Sequence, residues 1–122
     1  MRILVVEDDD DSAALLVCLF ERQGWSVDTA SSVCEGRRAL SKDEYGVLVT
    51  DFNLPDGTGV SLLEPGRPRH LCAAVLVTGA LDERERRESE AAGFQRCLSK
   101  PLSGHDIVEA IRSLTRSAEA RG

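Results

Sequence analysis

The chain predicts an α/β fold, a parallel sheet covered by helices on both faces, and three observations lead there. Five short apolar runs rich in β-branched residues, at 3–6, 25–30, 46–50, 73–78 and 94–98, alternate with longer segments of helical character. Strict alternation of strand and helix requires right-handed crossovers between parallel strands. The stretches 3–6, 47–49 and 75–77 are continuously apolar rather than alternating, the pattern of central strands buried on both faces. With 122 residues, 42% hydrophobic and 30% charged, the chain fits one domain over 1–122 with a single core.

The elements follow in order. After the first strand a helix opens near Asp10, Asp11 or Ser12, and Asp9, Asp10 and Asp11 read as caps, because short oxygen side chains accept from orphan amides and negative charge suits a helix start. Its core stripe is Ala13, Leu16, Val17 and Phe20, at i, i+3, i+4 and i+7. Gly24 ends it, with Arg22 in the last turn. Residues 25–29 alternate, which places the second strand at an edge. A second helix covers about 32–41. After Gly59 the residues Val60, Leu62 and Leu63 begin a third helix that Pro65, Gly66 and Pro68 stop within about two turns. The fourth helix, about 82–92, offers no apolar stripe before Ala91 and Ala92. Its pairs at i, i+4, Glu83 with Arg87 and Asp82 with Arg86, contribute only about 0.2–0.5 kcal/mol each, so it is weakly held and mobile. The last helix, about 103–115, carries Ile107, Val108, Ile111 and Leu114 on one face, and 117–122 reads as a frayed tail or the start of a linker.

Composition excludes several classes. A net charge of −6, with arginines interleaved among glutamates, disfavours direct nucleic-acid binding. The apolar stretch at 3–6 is too short for a signal peptide or a membrane span, which points to the cytoplasm. Cys18, Cys34, Cys72 and Cys97 form no C-x-x-C and read as reduced, mostly buried thiols. His70 and His105 lack a partner at ligand spacing and read as surface residues.

The chemistry-bearing residues stand at strand ends. Asp51 follows the run 47–50, and Glu7 and Asp8 follow 3–6; if both runs are parallel strands, three carboxylates emerge at one end of one sheet. Unit charges about 4 Å apart repel by roughly 4 kcal/mol at an effective dielectric near 20. Such a cluster persists around a hard cation or with raised pKa values, and oxygen ligands alone point to Mg²⁺. Thr78 and Lys100 each follow another apolar run and add a hydroxyl and a positive charge to the same rim. Ligands in open α/β sheets bind at that rim, where strand order reverses. The set is a phosphoryl site with Asp51 as acceptor.

At these positions the chain resembles the receiver domain of two-component response regulators. The pieces are Ile-Leu-Val-Val-Glu7-Asp8-Asp, Thr-Asp51-Phe-Asn53-Leu-Pro55-Asp-Gly57-Thr-Gly, Leu-Val-Thr78-Gly and Leu-Ser-Lys100-Pro101. The resemblance implies a CheY-like, flavodoxin-like doubly wound sheet of five strands in the order 2-1-3-4-5. It implies that Asp51 becomes an aspartyl phosphate by accepting the group from a phosphohistidine on a sensor histidine kinase or a histidine phosphotransfer protein, in a two-component system or phosphorelay. Glu7, Asp8, an Asp51 oxygen and the backbone carbonyl of Asn53 would hold Mg²⁺, which suits a reaction that depends on positioning and charge stabilisation. Lys100 and Thr78 would each bind a phosphoryl oxygen, and Lys100-Pro101 would be cis. Such a domain is a signalling module that assists its own phosphorylation and dephosphorylation rather than an enzyme. Its output surface, made by the fourth helix, fifth strand and fifth helix, would meet an effector or a second copy.

The departures also carry expectations. Asp51 and Thr78 stand a few residues closer than is typical of the family, and the deletion is expected at the interrupted third helix. Cys97 replaces the aromatic residue whose ring turns inward on activation, so coupling would run from Thr78 through the following loop to the fourth helix. Gly79 opens the phosphoryl group to water, while Ala80 cannot orient an attacking water, so the phosphorylated state is not especially short-lived. The turn at Asp56-Gly57 reads as local chemistry. An unphosphorylated pseudo-receiver acting as a protein-binding module is the alternative. A haloacid dehalogenase-type phosphatase would need an aspartate where Asn53 stands, and in a flavodoxin Glu7-Asp8-Asp9 would repel the flavin phosphate.

Overall fold

The computed structural model describes residues 1–64, 66–79 and 82–121, with backbone alone from residue 117. Strands β1 (Arg2–Val6), β2 (Ser26–Ala30), β3 (Val47–Asp51), β4 (Ala73–Thr78) and β5 (Arg96–Ser99) form one parallel sheet in the order β2-β1-β3-β4-β5. Helices α1 (Asp10–Glu21), α2 (Val33–Lys42), α3 (Glu83–Ala92) and α4 (Gly104–Arg121) connect or follow them, and a 3₁₀ segment (Gly59–Leu63) stands where a third helix was expected. This is the flavodoxin-like α/β arrangement, with its switch point between β1 and β3.

The continuous apolar runs serve two cores at once, because successive side chains of a strand point to opposite faces. Ile3, Val5, Val47, Val49 and Val75 pack against Leu16 and Phe20 of α1 and Ile107, Val108 and Ile111 of α4. Leu4, Val6, Leu48 and Leu76 pack on the other face against Val33, Leu62, Leu63 and Phe94. Each fully buried Val, Leu or Ile contributes about 1.5–3 kcal/mol relative to exposure, so these central strands anchor the rim above them. The edge strand β2 is only partly covered, as its alternation requires.

Capping is more selective than the run of aspartates suggests. Asp9 alone caps α1, accepting from the Ser12 amide at 2.9 Å and the Ser12 hydroxyl at 2.6 Å, while Asp10 and Asp11 lie in the first turn. Those bonds, the hydroxyl's first, hold the Asp9 carboxyl below its ordinary pKa. Leu16 and Phe20 carry the burial of α1, with Ala13 and Val17 half-buried beside them. The fifth strand begins at Arg96 rather than Phe94 because Gly93, at φ 111°, closes α3 and the Phe94 amide donates to the Ser89 carbonyl at 3.0 Å. Helix α4 continues to Arg121 where fraying from 117 was expected. Pro65, Ala80 and Gly122 lie outside the described residues.

The thiols are free but not mostly buried: Cys18, Cys34 and Cys72 are exposed and Cys97 is half-buried. Cys18 falls off the Leu16-Phe20 stripe, Cys34 lies in the first turn of α2, and Cys72 precedes β4. His70 and His105 are surface residues as expected, and His70 lies 3.1 Å from Glu44.

Two features surround α3. The Arg67 guanidinium donates to the carbonyls of Leu71 (3.2 Å) and Gly93 (2.8 Å) and to Gln95 Oε1 (2.7 Å). Gln95 in turn accepts from the Ala74 amide at 2.8 Å, so one side chain braces the segment that replaces the third helix against the starts of β4 and β5. The underside of α3 is polar. Its fully buried position is Ser89, not Ala91, which is exposed. The Ser89 hydroxyl meets Cys97 Sγ at 3.6 Å, and Glu85 Oε2 is buried with no hydrogen-bond partner. Burial pushes the Cys97 thiol up. Glu83 pairs with Arg87 at 3.5 Å as expected, but Asp82 instead caps the Glu85 amide at 2.7 Å and Arg86 turns to Glu83 at 3.1 Å.

Candidate functional site

Strand register assembles the site. Val6, Thr50 and Leu76 are level across β1, β3 and β4, so Glu7 and Asp51 leave neighbouring strands on one row, with Val77 beside Asp51. Thr78 stands one row higher, level with Ser99, and Lys100 follows. The Lys100 amide donates to the Thr78 carbonyl at 2.8 Å, which fixes the start of the lysine side chain above the acids. The Lys100-Pro101 peptide is cis.

One oxygen from each of Glu7, Asp8 and Asp51 lies within 4.8 Å of the others. Lys100 Nζ donates to Glu7 Oε1 at 2.8 Å and to Asp51 Oδ2 at 3.1 Å. Five of the predicted site residues, Glu7, Asp8, Asp51, Thr78 and Lys100, thus gather at one rim. Burial raises the Glu7 carboxyl above its ordinary pKa; the Lys100 hydrogen bond opposes the rise, and the neighbouring Asp51 adds to it. For Lys100, burial works downward, but the bonds to Glu7 and Asp51 outweigh it and the ammonium stays above its ordinary value. Asp8 is exposed at the mouth, and Thr78 is buried at 1% exposure.

The donor set fits a hard divalent cation. All three acids offer oxygen, and Glu7 Oε2 is buried with no hydrogen-bond partner, an orphan that a cation would satisfy.

Two residues outside the predicted site set hold the chain that leads away from β3. A Cβ on Gly59 would stand 2.2 Å from the Asp51 carbonyl oxygen and 2.7 Å from Thr50 Oγ1, and the Gly59 amide donates to the Phe52 carbonyl at 2.8 Å. Only glycine lets the chain fold back this closely over the end of β3. Gly59→Ala is expected to cost about 1–3 kcal/mol or more, read as a lowered urea midpoint, together with displaced amide signals at Asp51 and Phe52. The signal was present as a glycine eight residues beyond an acid at a strand end. The second is Asp56. Rather than serving only a local turn, it reaches α2, accepting from the amides of Val33 at 2.7 Å and Cys34 at 3.0 Å.

Fold and site together define a doubly wound α/β protein whose acids, countered by one lysine, meet at the carboxyl ends of the central strands. Residues 3–112 match the model of the response regulator receiver domain, and the chain belongs to that family of two-component signalling domains. It is 31% identical over 120 residues to the transcriptional regulatory protein GltR of Pseudomonas aeruginosa, covering 96% of this chain and 50% of the relative. Protein PetR of Rhodobacter capsulatus is 30% identical over 93% of this chain and 48% of its own length. The chain therefore spans about half the length of the curated relatives it matches. A CheY-like receiver domain protein from Methanospirillum hungatei superposes with a TM-score of 0.89 at 27% identity, covering 99% of this chain and 98% of that one. No helix among the described residues is long and apolar enough to cross a membrane.

Proposed function

We propose that this domain accepts a phosphoryl group on Asp51 from a phosphohistidine of a sensor histidine kinase or histidine phosphotransfer protein. The observation that carries the reading is the lysine bridge between Asp51 and a buried Glu7 that retains an unpartnered oxygen. An Asp51 carboxylate oxygen attacks phosphorus, the P–O bond forms as the P–N bond breaks, and the electron pair leaves with the imidazole nitrogen, which takes a proton. Glu7, Asp8, Asp51 and the Asn53 carbonyl would hold Mg²⁺, which when bound neutralises charge on the phosphoryl oxygens. Lys100 pairs with one phosphoryl oxygen and Thr78 donates to another. Incubation with acetyl phosphate and Mg²⁺, read by intact mass, tests this: one added phosphoryl group is expected, and no adduct would favour the pseudo-receiver. The setting is cytoplasmic, and effector or self-association would use the surface of α3, β5 and α4.

Switching then falls to α3. Its sheet-facing residues Glu85, Ser89 and Ala92 follow i, i+4, i+7 spacing and bury one hydroxyl and one unpartnered carboxylate oxygen, so little apolar area holds the helix down. Drawing Thr78 towards the phosphate pulls on the chain leading into it. Amide hydrogen exchange across residues 82–92 should change by about tenfold or more on phosphorylation, a shift of about 1.4 kcal/mol in local opening. Unchanged exchange in a domain shown by mass to be phosphorylated would rule out this route.

A further inference from the structure

The hairpin that leads away from Asp51 is too short to hold itself. It pairs only Asn53 with Thr58 and Leu54 with Gly57, and an isolated two-stranded ribbon is marginal at best in water. Its base is tied down, since the Phe52 amide donates to the Val77 carbonyl at 2.9 Å and the Gly59 amide to the Phe52 carbonyl at 2.8 Å. Its tip is tied by Asp56, whose two carboxylate oxygens accept from the amides of Val33 and Cys34 in the first turn of α2. Asn53 lies between these anchors.

Helix α2 does not need Asp56 to start. Ser32 already caps it by accepting from the Glu35 amide at 3.1 Å, and Glu35 reaches back to the Ser31 amide at 2.8 Å, just before the cap. The remote carboxylate takes two further first-turn amides, those of Val33 and Cys34, at the positive end of the helix, through charge-assisted bonds that are short and directional. The amides of Cys34 and then Val33 hold the Asp56 carboxyl below its ordinary pKa, so the tie persists at neutral pH.

We propose that Asp56 is a positioning residue for the metal site: by docking the hairpin tip on α2 it sets where the Asn53 carbonyl stands relative to Asp51. The inference rests on the phosphoryl-acceptor reading and concerns how its cation is held. The test titrates Mg²⁺ into the metal-free domain and follows the backbone amide signals of Phe52 and Asn53 in the native chain, Asp56→Ala, Asp56→Asn and Ser32→Ala. Asp56→Ala should weaken Mg²⁺ binding about tenfold, as loss of a supporting contact commonly does, and should speed amide exchange at Asn53 and Leu54 before any metal is added. Asp56→Asn, which keeps one acceptor oxygen, should recover most of the affinity. Ser32→Ala removes the helix's own cap and should leave Mg²⁺ binding unchanged. Native affinity in Asp56→Ala, or equal weakening by Ser32→Ala, would reduce Asp56 to an ordinary helix cap. A native chain that binds no Mg²⁺ would overturn the metal site itself, and this inference with it.

Discussion

Asp51→Asn is expected to abolish phosphoryl uptake completely: after acetyl phosphate and Mg²⁺, the variant keeps its unmodified mass while the native chain gains one group. The amide has no anionic oxygen to attack phosphorus, and neither neighbour can substitute. Glu7 is 5% exposed and engaged by Lys100, and Asp8 stands at the mouth, off the row that Asp51 shares with Val77. Stability should change little, because losing the contact to Lys100 at 3.1 Å is offset by removing one charge from a crowded trio. Unchanged thermal unfolding would therefore separate lost chemistry from lost folding. A variant labelled to the native extent would place the acceptor elsewhere.

Lys100→Ala should lower stability by about 2–3 kcal/mol near neutral pH. The cost falls at or just below the bottom of the range of about 3–5 kcal/mol for breaking a fully buried ion pair, because the lysine side chain is one-third exposed at 32%. The loss should depend on pH, with a sign set by Glu7. Its folded pKa is already raised by burial, and Lys100 is the partner opposing that rise, so deleting the lysine raises it further. A carboxyl raised on folding contributes stability that is full below its unfolded pKa, about 4.3, and is lost as pH rises through the folded value. The deficit of the variant should thus be small at about pH 4 and larger at about pH 7. Urea unfolding at both values measures it, and Mg²⁺ should restore more stability to the variant than to the native chain, by binding only the folded state. A deficit equal at both pH values would mean that Glu7 is not the group left uncompensated.

Most of the site was legible because strand ends are legible. Continuous apolar runs locate central strands, and the residues that end or closely follow each run emerge at the same rim in a parallel sheet, so the gathering of Glu7, Asp8, Asp51, Thr78 and Lys100 follows from position, while their roles are what the resemblance implies. The stunted third helix was readable from Pro68 and Gly66 for a similarly local reason. What escaped is long-range. Nothing near Asp56 indicates that its carboxylate serves a helix more than twenty residues earlier, at Val33 and Cys34. The buried Ser89 was hidden because helical periodicity is read from apolar residues, and this helix puts a hydroxyl on its inner face. The exposed cysteines are the converse case: a residue type that packs as a small hydrophobe stands on the surface, with Cys18 just outside the α1 stripe.

The chain between the 3₁₀ segment and β4 is tied down at one pole of the molecule. Arg67 with Gln95, and the Gly46 carbonyl that accepts from the amides of Cys72 at 2.8 Å and Ala73 at 3.1 Å, all stand where β4 and β5 begin. The chemistry stands where those strands finish, about 20 Å away along a six-residue strand. The braced segment and the acidic rim therefore stand at opposite ends of the sheet, and the rim hangs on central strands rather than on a third crossover helix.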